Sequence, residues 1–285
     1  MSNINCLLIE QTLKDPIYNI TGWLNIFLIL FIILLIFILF QQYSKSRIPL
    51  HYNLIILINN AIIYYLIYSI PLLLLFLRYK YLGFIYKDNC ELLTPTWLVV
   101  FFVFPNYFYL IANSGVHFLI MIERVRATIF IGHYENQGKI YVIRGILLVW
   151  LLSIIYTIYI ICSALADNET FGKPMGIAYL TSKYNSTIIL FINYLVLFIA
   201  TITTIFDFFV YHTNKKIKKR NKTSFKYSLS ANYQLNENLL LIRYILPLDA
   251  SYALFFGIYL IIVVRIYRDV LGDVTYISFY SLASM

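Results

Sequence analysis

The chain has 285 residues, 61% of them hydrophobic and only 12% charged, with a mean hydropathy of +0.77. Soluble domains sit nearer half apolar and a quarter charged, so an ordinary globular domain is excluded, and the length leaves no room for one beside the apolar segments. The net charge of +9 is concentrated in one short cluster beside an apolar segment, where positive-inside bias accounts for it, and does not call for a nucleic-acid partner.

Residues 23–40 read WLNIFLILFIILLIFILF, eighteen positions without a charge. At 1.5 Å rise per residue this is long enough to cross a hydrocarbon layer of roughly 30 Å. The segment before it lacks a basic start and the apolar run is too long for a signal-peptide core, so the first span is expected to act as its own signal anchor. Further spans are expected over 53–77, 97–122, 140–163, 186–210 and 245–264, with a partial one over 274–285. Pro71, Pro105 and Pro247 fall inside or beside spans, where neighbouring helices can satisfy the freed carbonyls. The chain reads as an all-α polytopic membrane protein in which residues 1–285 form one helical bundle. Its last apolar run, at about 18 Å of helix, stops short of a crossing.

Lys and Arg set the orientation. Fourteen fall on the side of the first, third and fifth connections and eight on the other, so the amino terminus is expected outside and the fifth connection in the cytoplasm. That connection carries Lys215, Lys216, Lys218, Lys219 and Arg220. Attraction to anionic lipid, about 1 kcal/mol per residue near the surface, explains such a cluster, and docking of a cytoplasmic partner is compatible with it. Sequons at Asn19, Asn168 and Asn185 fall on the expected outside and one at Asn221 on the inside. Asn168 is the best glycosylation candidate, and Asn19 is a second that lies close to a span. An Asn-rich chain also produces sequons by chance.

Cys6, Cys90 and Cys162 are too few for a disulfide framework. Cys90 precedes the third span and Cys162 ends the fourth on the same side, so a Cys90–Cys162 bridge is geometrically feasible; the alternative is cysteine as a small apolar helix residue. Polar groups inside spans, among them Asn59, Asn60, Asn113, Ser114, His117, Asp207 and Asp249, are costly in lipid and face the bundle interior. Interhelical hydrogen bonding explains any one of them more economically than ligand contact.

Glu123 and Arg124 close the third span. Neighbours on a helix point about 100° apart and do not form an i,i+4 pair. They either mark the headgroup boundary or form a latch that pairs with another helix in one state and releases it in another. The segment continues through Ala127 and Thr128 to Tyr134 and Glu135, and a second run before the sixth span reads Leu229, Ser230, Tyr233, Gln234, Glu237 and Asn238. These two patterns, ER-x-x-AT-x5-YE and LS-x-x-YQ-x-x-EN, resemble nematode serpentine chemoreceptors of the Sre family and its Sra-group relatives. The resemblance implies a seven-helix receptor-like bundle whose seventh helix is truncated here, binding a small-molecule ligand within the bundle and signalling to a heterotrimeric G protein from the plasma or ciliary membrane. Glu123 and Arg124 would form the activation switch, with Tyr134, Glu135, Tyr233, Gln234, Glu237 and Asn238 facing the G protein. Arg126 departs from the family's aromatic or apolar residue. The resemblance names no ligand.

Rival classes are weaker. A transporter or ligand-gated channel would suit a repeated architecture with broken helices, and no internal repeat is apparent. No catalytic set, phosphate loop, cofactor motif or metal-binding spacing appears, and His51, His117, His133 and His212 are scattered, so an enzyme is not expected.

Overall fold

A computed structural model describes residues 2–45, 51–130, 138–176, 178–221 and 229–270. They form α1 (Ser2–Lys14), α2 (Pro16–Lys45), α3 (Tyr52–Ile85), α4 (Thr96–Ile129), α5 (Ile140–Leu165), α6 (Asn168–Phe171), α7 (Ser186–Asn221) and α8 (Leu229–Val270), with a 3-10 turn at Asn89–Leu92. Helices α2, α3, α4, α5, α7 and α8 are long and apolar enough to cross a membrane. Each expected span from 23–40 to 245–264 lies within one of these helices. The helices run further than the apolar windows because backbone hydrogen bonding continues into the polar ends, where hydropathy falls. Thus α8 begins at Leu229 and passes through Pro247, which places Asp249 well inside a helix. The expected seventh segment, 274–285, lies outside the described residues, as do Tyr134 and Glu135.

Helix α4 is central. Half of its most apolar stretch is buried, against a third or less in the other five. At one end Val99, Phe102 and Val103 pack with Tyr156, Ile160 and Ala164 of α5 and with Leu75 and Tyr79 of α3. Further along, Phe108, Ala112, Val116 and Ile120 meet Leu54, Leu57 and Tyr64 of α3 and Val142, Ile146 and Val149 of α5. Glycine brings α4 and α5 together: a Cβ on Gly115 would stand 2.8 Å from Val149, and one on Gly145 2.8 Å from Leu119. Small residues at such crossings let helices associate where lipid removes the hydrophobic drive. Phe27, Phe31, Leu34 and Phe37 of α2 remain exposed, as suits a helix whose solvent is hydrocarbon.

The end of the bundle from which α4 starts is closed by packed connections. Thr94 and Met175 exchange backbone hydrogen bonds of 2.7 and 2.8 Å. Asp15 separates α1 from α2 by accepting from the Ile17 amide at 2.7 Å, with Pro16 at the first helical position, where its missing N–H costs nothing. Folded back in this way, α1 lays Ile9 against Leu92, with Leu13, Leu82, Tyr86 and Leu93 around them.

Here the structure corrects the Cys90–Cys162 bridge that the sequence left feasible. Cys90 is bonded to Cys6, their Cα atoms 4.7 Å apart, and Cys162 is an exposed free thiol. The docking of α1 on the 3-10 turn supplies the partner. Asn19 is also accounted for: its Nδ2 donates to the Leu13 carbonyl at 2.7 Å, and its Oδ1 accepts from Lys80 Nζ at 2.6 Å. Lys80 reaches it over the Trp23 ring, through space that Gly22 leaves open. A glycan on that nitrogen would displace the contact to Leu13, whereas Asn168 is exposed at the start of α6.

Glu10 ties α1 down. It accepts from Lys14 at 2.6 Å and Tyr86 at 3.3 Å, and from Asn89. The Lys14 hydrogen bond, with that lysine's charge and the other two donors, holds its carboxyl below the ordinary 4.5. A carboxyl depressed in the folded state stabilises above its unfolded pKa, and that contribution is lost as pH falls through the folded value. Amide protection of α1 is therefore expected to decline on acidification below about pH 4.5, and Glu10→Gln to remove that dependence, as read by hydrogen exchange.

Candidate functional site

The opposite end of α4 carries a buried polar cluster. Glu123 is 0% and Arg124 2% exposed. Their 100° separation sends them to different neighbours. Arg124 donates from Nη1 to Asn238 Oδ1 of α8 at 3.2 Å, while Asn238 Nδ2 donates to the Arg124 carbonyl at 3.3 Å and to Thr128 Oγ1 at 2.9 Å. Asn214 of α7 donates to the same Thr128 oxygen at 3.0 Å, and Thr128 donates to the Arg124 carbonyl at 2.9 Å. One hydroxyl thus uses its single hydrogen and accepts twice, its full capacity, and joins α4, α7 and α8.

Glu123 turns toward α3. Its Oε1 lies 3.8 Å from His51 Nδ1, which accepts from the Asn53 amide at 3.3 Å. The His51 amide donates to Glu237 Oε1 of α8 at 2.9 Å. Arg126 stacks over Tyr141 of α5 at 3.6 Å, and that tyrosine's hydroxyl accepts from Asn53 at 3.1 Å. Arg126, the departure from the motif, therefore braces α5.

The two sequence motifs meet in this cluster, since Arg124 and Thr128 contact Asn238, and Glu237 holds His51. Gln234 and Asn238, one turn apart, are buried, whereas Tyr233 is 43% exposed. Lys215, Lys216, Lys219 and Arg220 lie exposed on α7 beyond Asn214, with Lys218 half-buried. Sequence reading missed His51, Asn53, Tyr141 and Asn214. For Asn214 there was no usable signal, because a single buried amide beside a lysine run is visible only once the helix register is known. Higher in the bundle His117 Nδ1 of α4 lies 2.5 Å from Asp249 Oδ1 of α8, and Trp150 of α5 donates to Asn60 at 3.2 Å. Among the described residues no group of three or more His, Cys, Asp or Glu is placed to hold a metal ion.

Lipid-length helices around a central α4, with a buried Glu-Arg pair at its end, define an all-α polytopic membrane protein of receptor type. The family model described as serpentine type 7TM GPCR receptor class ab chemoreceptor matches residues 3–283, and the chain belongs to that family. This bears out the resemblance carried by the two motifs, with class ab as the Sra-group relative. No curated protein and no solved structure gives a match.

Proposed function

We propose that the whole chain forms one receptor bundle that binds a small chemical cue between its helices and engages a heterotrimeric G protein at the end carrying Arg124. The observation behind this reading is the Arg124–Asn238–Thr128 junction, where three helices are joined by a few hydrogen bonds. Each such bond contributes about 0.5–1.5 kcal/mol net, more where a charge takes part, so the junction can be opened by a ligand that favours separated helices. Tyr233 precedes it on α8 and the exposed lysines follow Asn214 on α7, and Tyr134 and Glu135 are assigned to the same G-protein face.

The orientation follows from two independent supports. The Cys6–Cys90 disulfide belongs in an oxidising compartment, and the Lys215–Arg220 cluster belongs in the cytoplasm. Both support an amino terminus on the outside, and a plasma or ciliary membrane is assigned with the receptor function. Ligand-dependent nucleotide exchange on a co-expressed Gα tests the function: wild type is expected to respond to a cue from an odorant panel and Arg124→Ala to fail. A current evoked by ligand without G protein would point instead to a channel. For orientation, Asn168→Gln is expected to abolish the glycan-dependent mobility shift, and Asn19→Gln to leave it unchanged.

A further inference from the structure

Two buried carboxylates meet in the interior of the bundle. Asp207 of α7 is 1% and Asp249 of α8 4% exposed. They face each other, and neither Oδ2 receives a hydrogen bond from the described residues. His117 lies against the other oxygen of Asp249. The Arg124 charge reaches Asp207 from below, but its guanidinium is tied to Asn238. Two carboxylates facing each other out of water share one proton, and the negative charge that remains has the His117 imidazole against one oxygen of Asp249 and no cation among the described residues against the other. A buried carboxylate left in that condition is costly by several kcal/mol, so the pair is suited to receive a positive charge from elsewhere.

Aromatic rings cluster one turn away from it. Helices α4 and α8 run antiparallel, so that one turn from His117 and Asp249 the Tyr252 hydroxyl faces Asn113 and Ser114. Tyr252 stacks on Phe256 at 5.7 Å, and across the seam Tyr109 of α4 stacks with Tyr68 of α3 at 4.5 Å and leans on Tyr65 at 5.4 Å. All five rings remain partly exposed although they lie between three helices. Aromatic faces attract organic cations, with tyrosine among the better ones, and an intramembrane carboxylate is a natural counter-ion for a charged ligand.

We propose that the seam between α3, α4 and α8 seats a protonated amine, its N–H groups directed to Asp249 and Asp207 and its alkyl or aryl body lying against Tyr109, Tyr252 and Phe256. This rests on the reading that the cue binds within the bundle, and assigns that cue to the amines. A neutral alcohol would supply at most one donor and no charge, and a carboxylic acid at neutral pH would add a further negative charge.

Thermal stability of the purified full chain in lipid nanodiscs tests the seat without any G protein, so failure of coupling and failure of the seat give different results. The probes are primary to tertiary alkylamines and arylalkylamines of one to eight carbons, each beside the isosteric alcohol. At least one amine is expected to raise the unfolding midpoint saturably, and its alcohol not to. Asp249→Asn is expected to weaken the apparent affinity on the order of a hundredfold, and Tyr252→Leu to weaken it roughly tenfold. The contrast between amine and alcohol on the wild-type chain requires no variant to fold. The proposal is overturned if no amine stabilises, if amines and alcohols act alike, or if Asp249→Asn binds the amine as wild type does. It is equally overturned if sodium chloride at the same concentration, or acidification alone, reproduces the stabilisation and removes the amine's increment, since an inorganic ion or a proton would then fill the seat.

Discussion

Replacement of Cys6 by serine is expected to destabilise the amino-terminal cap as much as replacement of Cys90, and replacement of Cys162 to be silent. The bridged residues are 84 apart in sequence. For a freely unfolding chain, closing a loop of that length is worth about 4–5 kcal/mol in the chain-entropy account. In a bilayer α2 and α3 stay helical when the bridge is cut, so the freedom gained is mainly that of α1 and of the connection carrying Cys90. A loss of about 2–3 kcal/mol is therefore expected. The Cys6→Ser, Cys90→Ser and double variants should show the same lowered unfolding midpoint, because two halves of one bond do not add. Cys162→Ser should stay within about 0.5 kcal/mol of wild type, as an exposed substitution does. Equal losses in Cys90→Ser and Cys162→Ser, with Cys6→Ser silent, would restore the Cys90–Cys162 pairing that the sequence left feasible.

That pairing shows where sequence reading runs out. The six apolar runs were plain because lipid imposes one strong constraint, an uncharged helix of bilayer length. Nothing comparable marks α1. Its thirteen residues mix Cys6, Leu7 and Ile9 with Asn3, Glu10 and Gln11, a pattern too short and too mixed to announce a helix that folds back on the bundle. Once α1 is in place Cys6 lies beside Cys90, and the pairing inferred from spacing and side alone gives way. Asn19 shows the same dependence, since its sequon could be read in the sequence but its engagement with Lys80 could not.

At the other end the motif residues were legible, and their geometry was not. Glu123 and Arg124 could be singled out because paired charges at the end of an apolar span are costly to bury. That they engage different helices follows from the angle between neighbouring residues, yet the partners come from α3 and α8 and required the fold. Asn238 was marked only as part of a pattern. Its pairing with Arg124 turns two motifs separated by more than a hundred residues into one junction.

Asn238→Ala is accordingly expected to produce both a loss of stability and a gain of basal activity. The substitution removes one acceptor of a buried guanidinium and one donor each to the Arg124 carbonyl and Thr128. A hydrogen bond to a charged group contributes about 1.5–3 kcal/mol, so a loss of about 2–3 kcal/mol is expected in the unfolding free energy of the purified protein. If the junction holds the unliganded state, the same substitution favours the open one, and each 1.4 kcal/mol changes that equilibrium roughly tenfold. Basal nucleotide exchange per surface receptor should rise by about that factor. Asn238→Asp separates a latch from a merely structural contact. The aspartate sets a carboxylate against Arg124 and makes a charge-assisted bond; its second oxygen, in place of the Nδ2 donor, accepts from Thr128 once that hydroxyl turns from the Arg124 carbonyl, while Asn214 still donates to Thr128. A latch so strengthened should lower basal exchange below wild type and shift the response to higher ligand concentration. A contact that only supports the fold would leave exchange per folded receptor unchanged in both variants, whatever it did to the amount of protein at the surface.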